Sequence, residues 1–112
     1  MEEMLYYTML FDLYGELLTN KQQNYFKDYY FNNLSLSEIA ENYGITRNAI
    51  HNQLREAKEK LEHYDKVLQL STKQEKIKEI CNKINDDNIK KELKDFFNLW
   101  KKIDLVLFLM LY

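Results

Sequence analysis

Residues 35–61 read SLSEIAENYGITRNAIHNQLREAKEKL, and they decide the fold. Ser35 is a good helix N-cap, and Glu38 three places on completes a Ser-x-x-Glu capping box. The spacing predicts a first helix from about Leu36 to Asn42. Gly44 then stands where a left-handed residue can end it, since glycine carries no Cβ to clash at positive φ. Thr46 can cap a second helix starting at about Arg47. Ile39, Ala40, Ile45, Ile50 and Leu54 are spaced to close two short helices on one small core, with Ala40 small where the axes approach. This is the pattern of a helix-turn-helix, although a cap, a glycine and a second cap also suit any αα-hairpin. The arrangement leaves Arg47, Asn48, His51, Asn52 and Arg55 on the open face of the second helix. In a helix-turn-helix the N-terminal part of that helix meets base edges.

The rest of the chain reads as helix. The sequence has 112 residues, no proline and two glycines, Gly15 and Gly44. So few helix breakers, with no convincing period-2 run, predict an all-α bundle of about six helices. The length suits one domain over residues 1–112, with the motif at 35–61 and a C-terminal helical extension at 71–112. The formal charge is −2. Within Ser35–Leu61, Arg47, Arg55, Lys58 and Lys60 balance Glu38, Glu41, Glu56 and Glu59, so the motif nets to zero. Strong non-specific nucleic-acid binding draws on phosphate neutralisation, and this balance argues against it.

Upstream of the motif, Glu2 to Leu18 is expected as a first helix, apolar around most of its circumference. It is either a central core helix or one shared with another subunit. Thr19 caps a second helix, Asn20 to about Phe31, whose Tyr25, Phe26, Tyr29 and Tyr30 repeat at i, i+4. Such aromatic density also suits base stacking, but the spacing favours a packing layer under the motif. Downstream, Ile50, Leu54, Ala57, Leu61, Tyr64 and Leu68 step by four and three, a seam about three turns longer than recognition requires. Ser71 with Gln74, or Thr72 with Glu75, offers a capping box for a helix running to about Asn85, with Ile77, Ile80, Cys81 and Ile84 inward. The last helix starts near Asp87 and is expected to carry Ile89, Leu93, Phe96, Phe97, Trp100 and Ile103 on one side. It ends in LVLFLMLY at residues 105–112, far short of the roughly 20 apolar residues that cross a bilayer. Packing on the first helix, a dimer interface and a membrane-associated tail are the three readings of that stretch.

No catalytic constellation stands out, so an enzyme is not expected, and neither a cofactor nor a metal site is. His51 and His63 with one cysteine are too few ligands for a metal. Cys81 is expected as a small core residue in a reducing compartment. The start, MEEMLYY, is acidic and lacks the basic region of a signal peptide, which suggests a cytoplasmic protein.

The run Leu10 to Glu62 resembles the YlxM/p13 family of helix-turn-helix proteins. Four features carry the resemblance: FDLY at Phe11–Tyr14, LLT at Leu17–Thr19, the tyrosine-rich second helix, and LSLSEIAENYGITRNAI at Leu34–Ile50. The motif also resembles region four of bacterial sigma factors. The resemblance implies a sigma-like all-helical fold and a regulatory role in the signal recognition particle pathway, inferred for that family from gene neighbourhood. It implies that Thr46, Arg47, Asn48, His51, Asn52 and Arg55 form a nucleic-acid-binding surface. The partners it suggests are DNA, or the RNA or protein of the particle; the apolar first helix, the long seam and the apolar end separately lead to the expectation of a homodimer. The competing expectation is a homodimeric protein- or RNA-interaction module that keeps the fold without binding DNA.

Overall fold

The computed structural model describes residues 2–111. Met1 and Tyr112, at the two ends read above, lie outside that range. Six α-helices follow one another: α1 Glu2–Tyr14, α2 Asn20–Tyr30, α3 Leu36–Tyr43, α4 Arg47–Leu68, α5 Leu70–Asn82 and α6 Asp87–Leu111. A single 3-10 turn, Gly15–Leu17, follows α1. There is no strand among the described residues, so the all-α helix-turn-helix expectation holds. Contacts group the chain into two compact units, residues 1–64 and 65–112. The division falls inside α4, ahead of residue 71 where the sequence reading begins its C-terminal extension.

In the first unit the local signals act as expected. The Thr19 hydroxyl accepts from Gln22 N, and Gln22 Oε1 returns to Thr19 N, forming a full capping box. Ser35 and Glu38 form a second one. Gly44 ends α3 at φ 66°, and the Ile45 N–H reaches back to the Ala40 carbonyl. The first helix is shorter than expected. It gives way to the 3-10 turn at Gly15, where the Phe11 ring packs so closely that a Cβ would sit 3.0 Å from it. Phe11 stacks on Phe26 at 4.4 Å, and Tyr25 meets Tyr43 edge-on at 4.9 Å. Tyr25, Phe26 and Tyr30 are buried, so the α2 aromatics form a packing layer as expected, while Tyr29 stays exposed. Ile39, Ala40, Ile50, Leu54, Ala57 and Leu61 complete this core with Leu10, Leu13 and Tyr14. Ile45, expected inside, is exposed.

The second unit departs further from the sequence reading. Helix α5 begins at Leu70, ahead of Ser71 and Thr72, and Gln69 before it is left-handed at φ 54° with no side-chain cap. Ser71 caps nothing. Its backbone N–H and hydroxyl both donate to the Asp65 carboxylate, at 3.1 and 2.6 Å. The helix stops at Asn82, short of Asn85. At the start of α6, Asp86 Oδ1 accepts from Asn88 N at 2.9 Å. Cys81 is buried, as expected of a core residue. On α6 the expected apolar side splits: Phe97 is buried, while Ile89, Phe96, Trp100 and Ile103 are exposed. Farther on, Leu105 and Phe108 are buried, and Val106, Leu107, Leu109, Met110 and Leu111 are not. No helix of the described residues is long and apolar enough to cross a membrane.

Candidate nucleic-acid interface

The candidate surface is the first half of α4. Thr46 fixes its start, since the Thr46 hydroxyl accepts from Ala49 N at 3.0 Å. That bond satisfies one of the unpaired N–H groups of the first turn and sets the entry angle of the helix. Ile50, Leu54 and Ala57 then anchor the inward stripe. With this stripe fixed, the helical period assigns the outward positions: 47, 48, 51, 52 and 55 are spaced i, i+1, i+4, i+5 and i+8 and share one face. Thr46, Arg47, Asn48, His51, Asn52 and Arg55 are all exposed. The structure therefore gathers five of the six expected residues on one side of α4 and sets Thr46 at its N-cap. Arg47 and Arg55 stand about 12 Å apart along the axis, at 1.5 Å per residue. Thr46 differs from the others because its hydroxyl is already engaged as a cap.

Most charges of the motif have partners within the first unit. Glu38 is turned to the Ser35 backbone. The Lys60 ammonium reaches Glu56 at 3.5 Å and Gln22 Oε1 at 3.3 Å. Lys58 pairs with Glu3 at 3.5 Å and lies over the rings of Tyr7 and Tyr30. Burial opposes the charged form of Lys58, but the Tyr30 hydroxyl and Glu3 outweigh it and hold its pKa above the usual lysine value. Both lysines are thus engaged by side chains of α1, α2 and α4. Among the described residues the ion pair on the face that carries Arg47 is Arg55 with Glu59, at 4.0 Å between two exposed side chains. A pair of this kind is weak and opens readily. The outer face of α4 therefore presents Arg47 and Arg55 with Asn48, His51 and Asn52, and Glu59 at its edge.

Sequence reasoning missed the residues that hold α4 in place behind this face. Gln22 is only 2% exposed, and its Nε2 donates to Gln53 Oε1 at 3.3 Å. With the Lys60 contact this joins the start of α2 to the middle of α4. The signal was present in Thr19-x-x-Gln22, a capping-box pattern like the one at Ser35. On the other side of the unit the Tyr7 hydroxyl donates to the Glu62 carboxylate. That bond, then burial and the charges of Glu62 and Glu3, push the Tyr7 phenol far above its ordinary value. Among the described residues no group of three or more His, Cys, Asp and Glu side chains is placed to hold a metal ion.

The family profile that matches this chain covers residues 1–103 and is described as UPF0122, "Putative helix-turn-helix protein, YlxM / p13 like". A UPF0122 protein of Malacoplasma penetrans is 42% identical over 96 residues, covering 84% of this chain and 90% of the relative. A UPF0122 protein of Geobacillus is 34% identical over 106 residues, covering 93% and 96%. The UPF0122 protein YlxM of Bacillus subtilis is 40% identical over 77 residues, covering 69% and 70%.

Proposed function

Because the chain belongs to the UPF0122 family of YlxM/p13-like helix-turn-helix proteins, we propose that it is a cytoplasmic, non-enzymatic regulator that reads duplex DNA with the first half of α4. One observation carries this reading. Arg47, Asn48, His51, Asn52 and Arg55 are exposed together on one helix face, behind which Ile50 and Leu54 are locked in the core. Arginine pairs with guanine edges and asparagine with adenine edges in the major groove, and both residue types stand where a reading helix would present them. The pathway it serves in this reading is that of the signal recognition particle, as the family resemblance suggests.

The test is binding of the full chain to a pool of random duplexes, followed by sequencing of the retained fraction. Enrichment of a motif that disappears in Arg47→Glu with Arg55→Glu, at unchanged helix content, supports the reading. No enrichment, or enrichment indifferent to the double substitution, rejects it.

The even balance of charge over residues 35–61 favours a second reading. A surface with only two arginines draws little affinity from phosphates. In that reading the same face meets an RNA or protein component of the signal recognition particle, and duplex DNA is not a ligand. Retention of the particle's RNA or protein, with no duplex enriched, selects it.

A further inference from the structure

Helix α6 has two apolar sides, and the second is left largely uncovered by the chain, with Lys73 lying over the Trp100 ring at 5.6 Å. Phe97, Leu105 and Phe108 are buried. The other side runs Ile89, Leu93, Phe96, Trp100, Ile103 and Leu107, with Met110 one step beyond. The intervals alternate four and three without a break, which is the heptad of a coiled-coil seam sustained over three repeats. All of these except the half-buried Leu93 are exposed, at 46% for Ile89 and Trp100 and up to 74% for Met110. Leu99 and Val106 flank the seam and are also exposed. The stripe presents on the order of 900 Å² of surface, beyond what a monomer ordinarily leaves open and close to the ~800 Å² per partner of a standard interface.

We propose that this stripe is a self-association surface on which α6 of a second copy of the chain packs antiparallel, related by a two-fold axis near Asn98 and Leu99. A heptad seam fits a helix of the same period and length, and α6 is itself such a helix. Two-fold symmetry makes the one stripe complementary to itself. The antiparallel direction follows from the flanking positions. It layers Phe96 on the partner's Trp100, and Leu93 on the partner's Ile103. It brings Leu99 against the partner's Leu99 at the axis. It also places Lys90 beside the partner's Asp104, which already pairs with Lys73 of its own chain at 3.4 Å. The parallel direction would set Leu99 against the partner's Asp104 and offers no such charge match.

This inference is independent of the nucleic-acid reading, since its test contains no nucleic acid. Sedimentation of the full chain at 5–50 µM (roughly the working range for a standard interface) is expected to show a dimer. Ile103→Glu is expected to raise the dimer dissociation constant at least a hundredfold with helix content unchanged, because residue 103 is exposed within one chain. Leu99→Cys is expected to cross-link with a short bismaleimide, while the unsubstituted chain, whose Cys81 is buried, is not. A monomeric wild-type chain overturns the proposal, as does a dimer indifferent to Ile103→Glu. Cross-linking through Ile103→Cys but not through Leu99→Cys reveals parallel helices and overturns it as well.

Discussion

The Nε2 of Gln22 donates to the Oε1 of Gln53 across 3.3 Å, joining the first turn of α2 to the middle of α4. Gln22 is almost wholly buried, and its Oε1 serves both the Thr19 backbone and the Lys60 ammonium. Gln22→Leu therefore strips a buried cluster of its centre. The expected loss is about 1–3 kcal/mol, the cost of leaving buried polar partners unmet. Urea denaturation monitored by circular dichroism measures it. A change below about 0.5 kcal/mol, the range of ordinary surface substitutions, would mean the cluster is not structural.

Gly44 tests the turn of the motif. It sits at φ 66°, and a Cβ built there meets nothing within 4 Å. Gly44→Ala is thus penalised by backbone conformation alone, by about 1–2 kcal/mol. Asparagine tolerates the left-handed region better, so Gly44→Asn should cost less than Gly44→Ala. Equal losses for the two would show that the turn has moved to another conformation.

These two cases show why some of the structure was legible and some was not. The capping boxes at Thr19 and Ser35 and the glycine at 44 are local: residues within four places of each other settle the backbone, and the distant Lys60 joins Gln22 without displacing its bond to Thr19. Ser71 carries an equally good local signal, yet Asp65 captures both its N–H and its hydroxyl. The helix then starts at Leu70, two residues ahead of a start capped by Ser71, behind a left-handed Gln69. The side of α6 was misread for a different reason. Phe96 and Phe97 are adjacent and equally apolar, so hydropathy places them together, while a helix turns them about 100° apart. For the candidate interface, the outward positions on α4 followed from its inward stripe. The engagement of its lysines did not, because it depends on Lys58 and Lys60 finding Glu3, Tyr30 and Gln22 on α1 and α2.

Tyr7 makes stability depend on alkaline pH. Its phenol is raised above the ordinary value of 10.0 by the bond to Glu62, by burial and by the charges of Glu62 and Glu3. The folded chain therefore holds the Tyr7 proton at pH values where the unfolded chain has lost it. The contribution is fully present below about pH 10, the value for an unfolded tyrosine, and declines as pH rises above it. Tyr30 is shifted in the same direction, chiefly by burial. The melting temperature of the wild-type chain should fall as pH rises above about 10, and that of Tyr7→Phe should fall less steeply. Identical slopes would separate Tyr7 from the alkaline transition.

Arg55 and Glu59 give a prediction in which stability and binding part company. Their side chains are exposed and 4.0 Å apart, so Glu59→Gln should change stability by less than about 0.5 kcal/mol. The same change removes a carboxylate from the edge of the α4 face and frees Arg55 for a phosphate or a base. If duplex DNA is the ligand, affinity should rise severalfold in Glu59→Gln. Arg55→Ala, by contrast, should flatten the dependence of log affinity on log salt by about one if Arg55 meets a phosphate, because one fewer counterion is then displaced. Titration of a fluorescent duplex between about 50 and 200 mM salt, the range over which phosphate contacts dominate, reads both effects. A Glu59→Gln chain that binds DNA no better, with an Arg55→Ala chain of unchanged affinity and slope, would place the ligand away from this half of α4.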